Sequence, residues 1–109
     1  MKSTQRRNGN NRKVGYKLYA RILSRHKKDL SERYKVNEIG IFGSHVRGEQ
    51  KKRSDVDILV DFSEVPGLLK FISLENHLRS ILKKKVDLVD KKGIRPELRD
   101  IILNEVVYI

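Results

Sequence analysis

The chain has 109 residues, a formal net charge of +11 and no cysteine. That length holds one domain with a modest core, and 38% hydrophobic with 36% charged residues fits a soluble globular protein. No apolar run approaches the roughly 20 residues of a membrane span, Met1 to Lys13 is too polar for a signal peptide, and the lack of thiols excludes disulfides and thiolate zinc sites, so the compartment expected is the cytoplasm.

The charge is uneven along the chain. Residues 1–35 hold 12 Lys/Arg against Asp29 and Glu32, whereas residues 36–109 hold 13 against 12. A basic flank of this kind attracts polyanions, whether nucleic acid, an acidic protein or a triphosphate, and a solvated tail and helix face is the plain alternative. Residues 1–15 are rich in Arg, Asn and Lys without periodicity and read as a flexible basic arm. Residues 16–109 read as one folded domain.

Tyr16, Tyr19, Leu23, Leu30 and Tyr34 recur at close to helical spacing and predict an amphipathic helix ending near Tyr34. Val36 to Phe42 is the first predicted strand. Gly43-Ser44 breaks it and opens a short helix, with Ser44 in the N-cap position. After the Lys51-Lys52-Arg53 turn, a second strand runs from Asp55 to Phe62. Alternate residues of a strand share a face, so Asp55 and Asp57 project together while Val56, Ile58, Val60 and Phe62 form an apolar face toward the core.

Pro66-Gly67 marks a loop. Phe71, Leu74, Leu78 and Ile81 then predict a helix from about Gly67 to Lys84, followed by a short strand from Val86 to Val89 that carries Asp87. Pro96 suits the first turn of a last helix reaching about Asn104, with Leu98, Ile101 and Ile102 facing inward. Val106 to Ile109 is either a terminal strand or a segment docked on the core. The alternation implies an α/β arrangement, a sheet with helices packed against it and the carboxylate edge left open; strand order is not legible.

The chemistry gathers around Gly43. A glycine lets the backbone approach a ligand, the helix start offers N–H groups and a partial positive charge to phosphate, Ser44 adds a hydroxyl, and Arg47 lies on nearly the same helix face, with a bridge to Glu49 or another acid as its plain alternative. Asp55 and Asp57 are hard oxygen ligands suited to Mg²⁺, which is usually completed by water and substrate phosphates. Asp87, flanked by apolar residues, is costly to bury unless it faces the same edge. Three carboxylates can hold two metal ions about 3.5–4 Å apart, the arrangement used to transfer a nucleotidyl group. Asp61 shares their face but stands roughly 13 Å beyond Asp57 and reads as a solvated strand end. His26, His45 and His77 lack metal-ligand spacing and read as structural or surface residues, with only His45 near the site. Lys51, Lys52 and Arg53 read as an exposed charged turn.

Gly43-Ser44, Arg47-Gly48, Ser54-Asp55, Asp57 and the downstream Asp87 together resemble the pattern of the DNA polymerase β-type nucleotidyltransferase superfamily, and more narrowly its minimal nucleotidyltransferase (MNT) branch. The resemblance spans roughly residues 16–109. It implies the nucleotidyltransferase fold, a small mixed β-sheet of the α+β kind. It also implies ATP as donor, Mg²⁺ (two ions) held by Asp55, Asp57 and Asp87, help from Asp87 in deprotonating the acceptor, and triphosphate contacts from Gly43 and Ser44. Val46 departs from the small residue many members carry before the Arg. MNT proteins pair with a HEPN partner as toxin and antitoxin, and the resemblance implies AMP transfer to a tyrosine hydroxyl of a HEPN-type toxin in a hetero-complex. The rival functions are an antitoxin that blocks its partner by occlusion without catalysis, and nucleotidyl transfer to RNA or a small molecule through the basic N-terminal region.

Overall fold

Tyr16–Tyr34 forms a 19-residue helix, α1, whose Leu23, Leu30 and Tyr34 are buried, as the spacing predicts. A computed structural model describes residues 15–109, so the basic arm proposed for residues 1–15 lies, but for Gly15, outside the described residues. The chain continues through β1 (Val36–Phe42), α2 (Ser44–Arg47), β2 (Val56–Phe62), α3 (Leu68–Leu82) and β3 (Val86–Asp90). A 3-10 turn at Lys91–Gly93 then leads into α4 (Pro96–Glu105) and β4 (Val107–Tyr108). Neither α1 nor α3 ends on glycine: Lys35 and Lys83 take the left-handed conformation instead, at φ 60° and 54°.

The four strands form one mixed sheet in the order β3-β2-β1-β4. β1 is antiparallel to both β2 and β4, and β2 is parallel to β3. Parallel neighbours need a crossover, and α3 supplies it. Residues that alternate along β2 part to opposite faces. Val56, Ile58, Val60 and Phe62 go to one face and meet Ile39 and Ile41 of β1, Leu23 and Leu30 of α1, and Leu74 and Leu78 of α3 in the main core.

The other face carries the acids, and it is not bare. Leu59, between Asp57 and Asp61 on that face, packs with Phe42 and with Ile102 of α4 in a second, smaller core. Here the expected helix face needs correcting. Of the three α4 residues predicted to point inward only Ile102 does, whereas Leu98 and Ile101 are 43% and 61% exposed. The helix meets the sheet through its last turns and its first turn stands clear. Asp61 also departs from the solvated strand end expected: its side chain is only 16% exposed, with Lys92 Nζ 3.7 Å away and Asn37 donating to it at 3.4 Å. A partly covered strand face leaves little water for that carboxylate, so a lysine supplies the compensation.

β4 can pair because Gly40 has no side chain. A Cβ there would stand 2.6 Å from Val106 Cγ2 and 3.0 Å from the Val107 carbonyl oxygen. Gly40→Ala is expected to unseat β4 and cost about 1–3 kcal/mol, as small-to-large changes in packed sites do. Thermal unfolding measures the loss, and amide exchange localises it to residues 107–108.

Candidate active site

β1 ends at Phe42, and the turn that follows is set by Gly43, whose φ of 83° and ψ of −154° lie in a region essentially reserved for glycine. Its Cα faces the Asp57 side chain so closely that an added Cβ would stand 2.9 Å from Asp57 Cγ. Gly43 is therefore the N-cap of α2, and Ser44, predicted in that role, is its first helical residue and makes no capping hydrogen bond. The Gly43 carbonyl accepts from Val46 and Arg47 N–H, closing the single turn. Val46 packs against the main core, which is where the bulk of this unusual residue goes.

The acids come together as the strand register dictates. Asp57 of β2 and Asp87 of β3 are partners in the parallel ladder, so their side chains stand side by side on the α4 face, on strands about 4.8 Å apart. Asp55 precedes β2, which starts at Val56 rather than at Asp55 as predicted. It is exposed at the mouth of the same site. Burial pushes the Asp57 carboxyl up to about 6, helped by the negative charges of Asp87 and Asp55 and opposed by Arg47. Among the described residues no three His, Cys or acidic side chains stand as a ready-made metal cage. What the site offers is adjacent carboxylates with uncompensated charge, a donor set that fits a divalent ion whose shell is completed by water and phosphate.

Two further residues belong to this place, and the first of them escaped the sequence reading. Glu105, the last residue of α4, accepts from Gly43 N–H at 2.6 Å through Oε1 and from Arg47 Nη1 at 2.8 Å through Oε2. Arg47 Nε also donates to Glu49 at 2.8 Å. The hydrogen bonds to Glu49 and Glu105 hold the guanidinium firmly protonated. The one signal in the sequence was an acid in the last turn of a helix, where the macrodipole disfavours it.

His45 is the second. Expected near the site as a structural or surface residue, it is 3% exposed and lies edge-on to Tyr19 at 5.4 Å, with its Nδ1 buried and unpartnered. Burial and then nearby Lys84 lower its pKa, which keeps the ring neutral. His26 and His77 lie at the α1–α3 contact, rings 6.3 Å apart. Beside Asp55 a cleft of about 350 Å³ is lined by Arg53, Ser54, Lys84 and Lys85. A larger one, about 510 Å³, lies at the opposite end of the sheet, between Ser24, Lys27 and Lys28 of α1 and Val36, Asn37 and Ile39 of β1. None of Asp55, Asp57 and Asp87 lines it.

The chain is similar to known proteins in both sequence and fold. Residues 23–109 match the family model described as nucleotidyltransferase domain. A protein adenylyltransferase, MntA, of Thermococcus cleftensis is 57% identical over 88 residues, covering 81% of this chain and 89% of the relative. A Methanocaldococcus jannaschii protein named as a candidate protein adenylyltransferase is 58% identical over 73 residues, 67% of this chain and 85% of that one. Among solved structures, a protein described as a candidate minimal nucleotidyltransferase superposes with a TM-score of 0.66 at 33% identity, covering 82% of this chain and 93% of its own. A toxin–antitoxin complex with AMP-PNP superposes at 0.65 and 29% identity, covering 75% and 67%. With the turn, the paired acids and the mixed sheet all in place, the chain belongs to the nucleotidyltransferase family, on its minimal, MntA-like branch.

Proposed function

We propose that this nucleotidyltransferase is an Mg²⁺-dependent protein adenylyltransferase that moves AMP from ATP to a tyrosine hydroxyl of a HEPN-type toxin and so acts as its antitoxin. The observation that carries this reading is the placement of Asp57 and Asp87 side by side, against the Gly43 turn. Support for a protein acceptor comes from relatives named protein adenylyltransferases and from similar structures solved as toxin–antitoxin complexes.

Asp55, Asp57 and Asp87 would hold the divalent metal, which when bound neutralises triphosphate charge and acidifies the acceptor hydroxyl. Gly43, Ser44 and Arg47 bind and orient the triphosphate: the glycine lets the phosphates approach the backbone, and the serine and arginine donate to their oxygens. The acceptor oxygen forms its bond to the α-phosphorus as the bond to the pyrophosphate oxygen breaks, and Asp87 is the residue assigned to take up the hydroxyl proton. Lys51, Lys52 and Arg53 stay outside the catalytic set. Arg53, Lys84 and Lys85 give the cleft beside Asp55 a positive lining suited to an anionic substrate.

Incubation with α-³²P-labelled ATP, Mg²⁺ and the co-purified helical partner is expected to leave one or more AMP masses on a partner tyrosine, read by intact mass and peptide mapping. EDTA is expected to abolish it. Label on RNA instead, or none on the partner, rejects the assignment. Neutralisation that survives loss of all three acids would assign the antitoxin effect to occlusion.

A further inference from the structure

Glu105 engages, in this site, two donors of the kind that phosphate oxygens take, a backbone N–H and a guanidinium. One carboxylate oxygen takes the Gly43 N–H at 2.6 Å and the other takes Arg47 Nη1 at 2.8 Å, so a single anion bridges the backbone turn and the guanidinium. We propose that Glu105 is a displaceable internal anion of the nucleotide site, which holds the Gly43 and Arg47 donors while the site is empty and surrenders them to triphosphate oxygens when nucleotide binds. Glu105 thereby sets the affinity for triphosphate. The proposal rests on the nucleotide-binding reading given above and adds a residue to it.

Three features favour displacement over a permanent brace. A backbone N–H offers one proton, so the glutamate and a phosphate oxygen cannot both accept it well. Glu105 is an acid at a helix C-terminus, where the dipole opposes it, and it stands near Asp57, whose carboxyl its charge pushes upward. It is held there chiefly by the two donors in question. Third, the backbone beneath it is fixed, whereas the side chain, 16% exposed, is tied at its carboxylate to those two donors. Ile102 is packed against Leu59 and Phe42 on one side, and Val107 pairs with Ile41 on the other. A change of side-chain rotamer alone can clear the turn without moving α4 or β4. In the empty site the same carboxylate keeps the buried Gly43 N–H from going unpaired, which would otherwise cost stability.

The test measures binding by calorimetry on the full chain in Mg²⁺, with the α,β-methylene analogue of ATP, which cannot release AMP, and with AMP. Glu105→Gln is expected to bind the triphosphate analogue about tenfold more tightly than the unaltered chain, the effect of weakening a charge-assisted competitor, and to leave AMP affinity unchanged. Glu49→Gln is the control, because Glu49 holds the same Arg47 but not Gly43. Unchanged or weaker analogue binding in Glu105→Gln overturns the proposal and identifies a brace. Equal tightening in Glu49→Gln also overturns it, since the effect would then be a general loss of negative charge. If neither the unaltered chain nor Glu105→Gln binds the analogue, the nucleotide-site reading itself falls. Glu105→Asp, whose shorter arm cannot span both donors, guards against a folding artefact and is expected to tighten binding as well.

Discussion

Asp57→Asn is expected to abolish AMP transfer and, in the same protein without nucleotide, to raise the melting temperature. The two effects have one cause. Folding pushes the Asp57 carboxyl from an ordinary 3.8 up to about 6, mainly because the side chain is buried and then because Asp87 and Asp55 stand beside it. A carboxylate whose folded value lies above its unfolded one supports the fold while it is protonated. That contribution is complete below the unfolded value and is lost as pH rises through about 6. At pH 7 the ionised group therefore weighs against the folded state by about 2–3 kcal/mol. The isosteric amide removes that weight, so a gain on the order of 10 °C is expected for a domain of this size. Well below pH 3.8, at about pH 2.5, the two proteins should melt together. A melting temperature for the variant that is lower at pH 7, or a difference that stays as large at about pH 2.5 as at pH 7, would show that Asp57 is not under this electrostatic load. The trade-off is the one expected of a site kept charged for its ligand.

Gly43→Ala is expected to be the most damaging single-methyl change in the domain. The backbone at φ 83° and ψ −154° is sterically closed to alanine, which costs about 1–3 kcal/mol on its own. The new Cβ would in addition meet Asp57, 2.9 Å from Cγ and 3.2 Å from Cβ. A total loss of about 3 kcal/mol or more is expected, together with loss of transfer, since the acid must move out of position. Denaturant titration of Gly43→Ala, Asp57→Ala and the double variant separates the two parts. The clash should appear as a coupling energy of about 0.5–3 kcal/mol between sites, while the backbone strain persists in the double variant. Additive losses would mean that the contact with Asp57 carries no energy.

Most of the element order was legible because the core is built by simple periodicities. Leu74 and Leu78, or Val56, Ile58 and Val60, repeat at the helical and strand periods and are all fully buried. The downstream acid was legible too, since an aspartate between Val86 and Leu88 has few affordable positions. Other features depended on contacts between distant segments. Nothing local says that Val107 will pair with Ile41, and hence nothing says that Glu105 will reach Gly43, 62 positions earlier. The same ignorance of where α4 would lie made Leu98 and Ile101 look buried and Asp61 look solvated. Ser44 was placed at the N-cap from its chemistry, but Gly43 takes that position because its conformation and its closeness to Asp57 leave no room for a side chain.

The pairing of Asp57 with Asp87 also bears on how the chain finds its fold. Shifting β3 by one residue against β2 would turn every side chain of that strand over, carrying Asp87 under α3 among Leu74 and Leu78 and bringing Val86 and Leu88 out to solvent. A carboxylate without a partner there is prohibitive. The residues kept for chemistry thus proofread the sheet: a molecule that has buried its leucines correctly has, by the same act, assembled its acids.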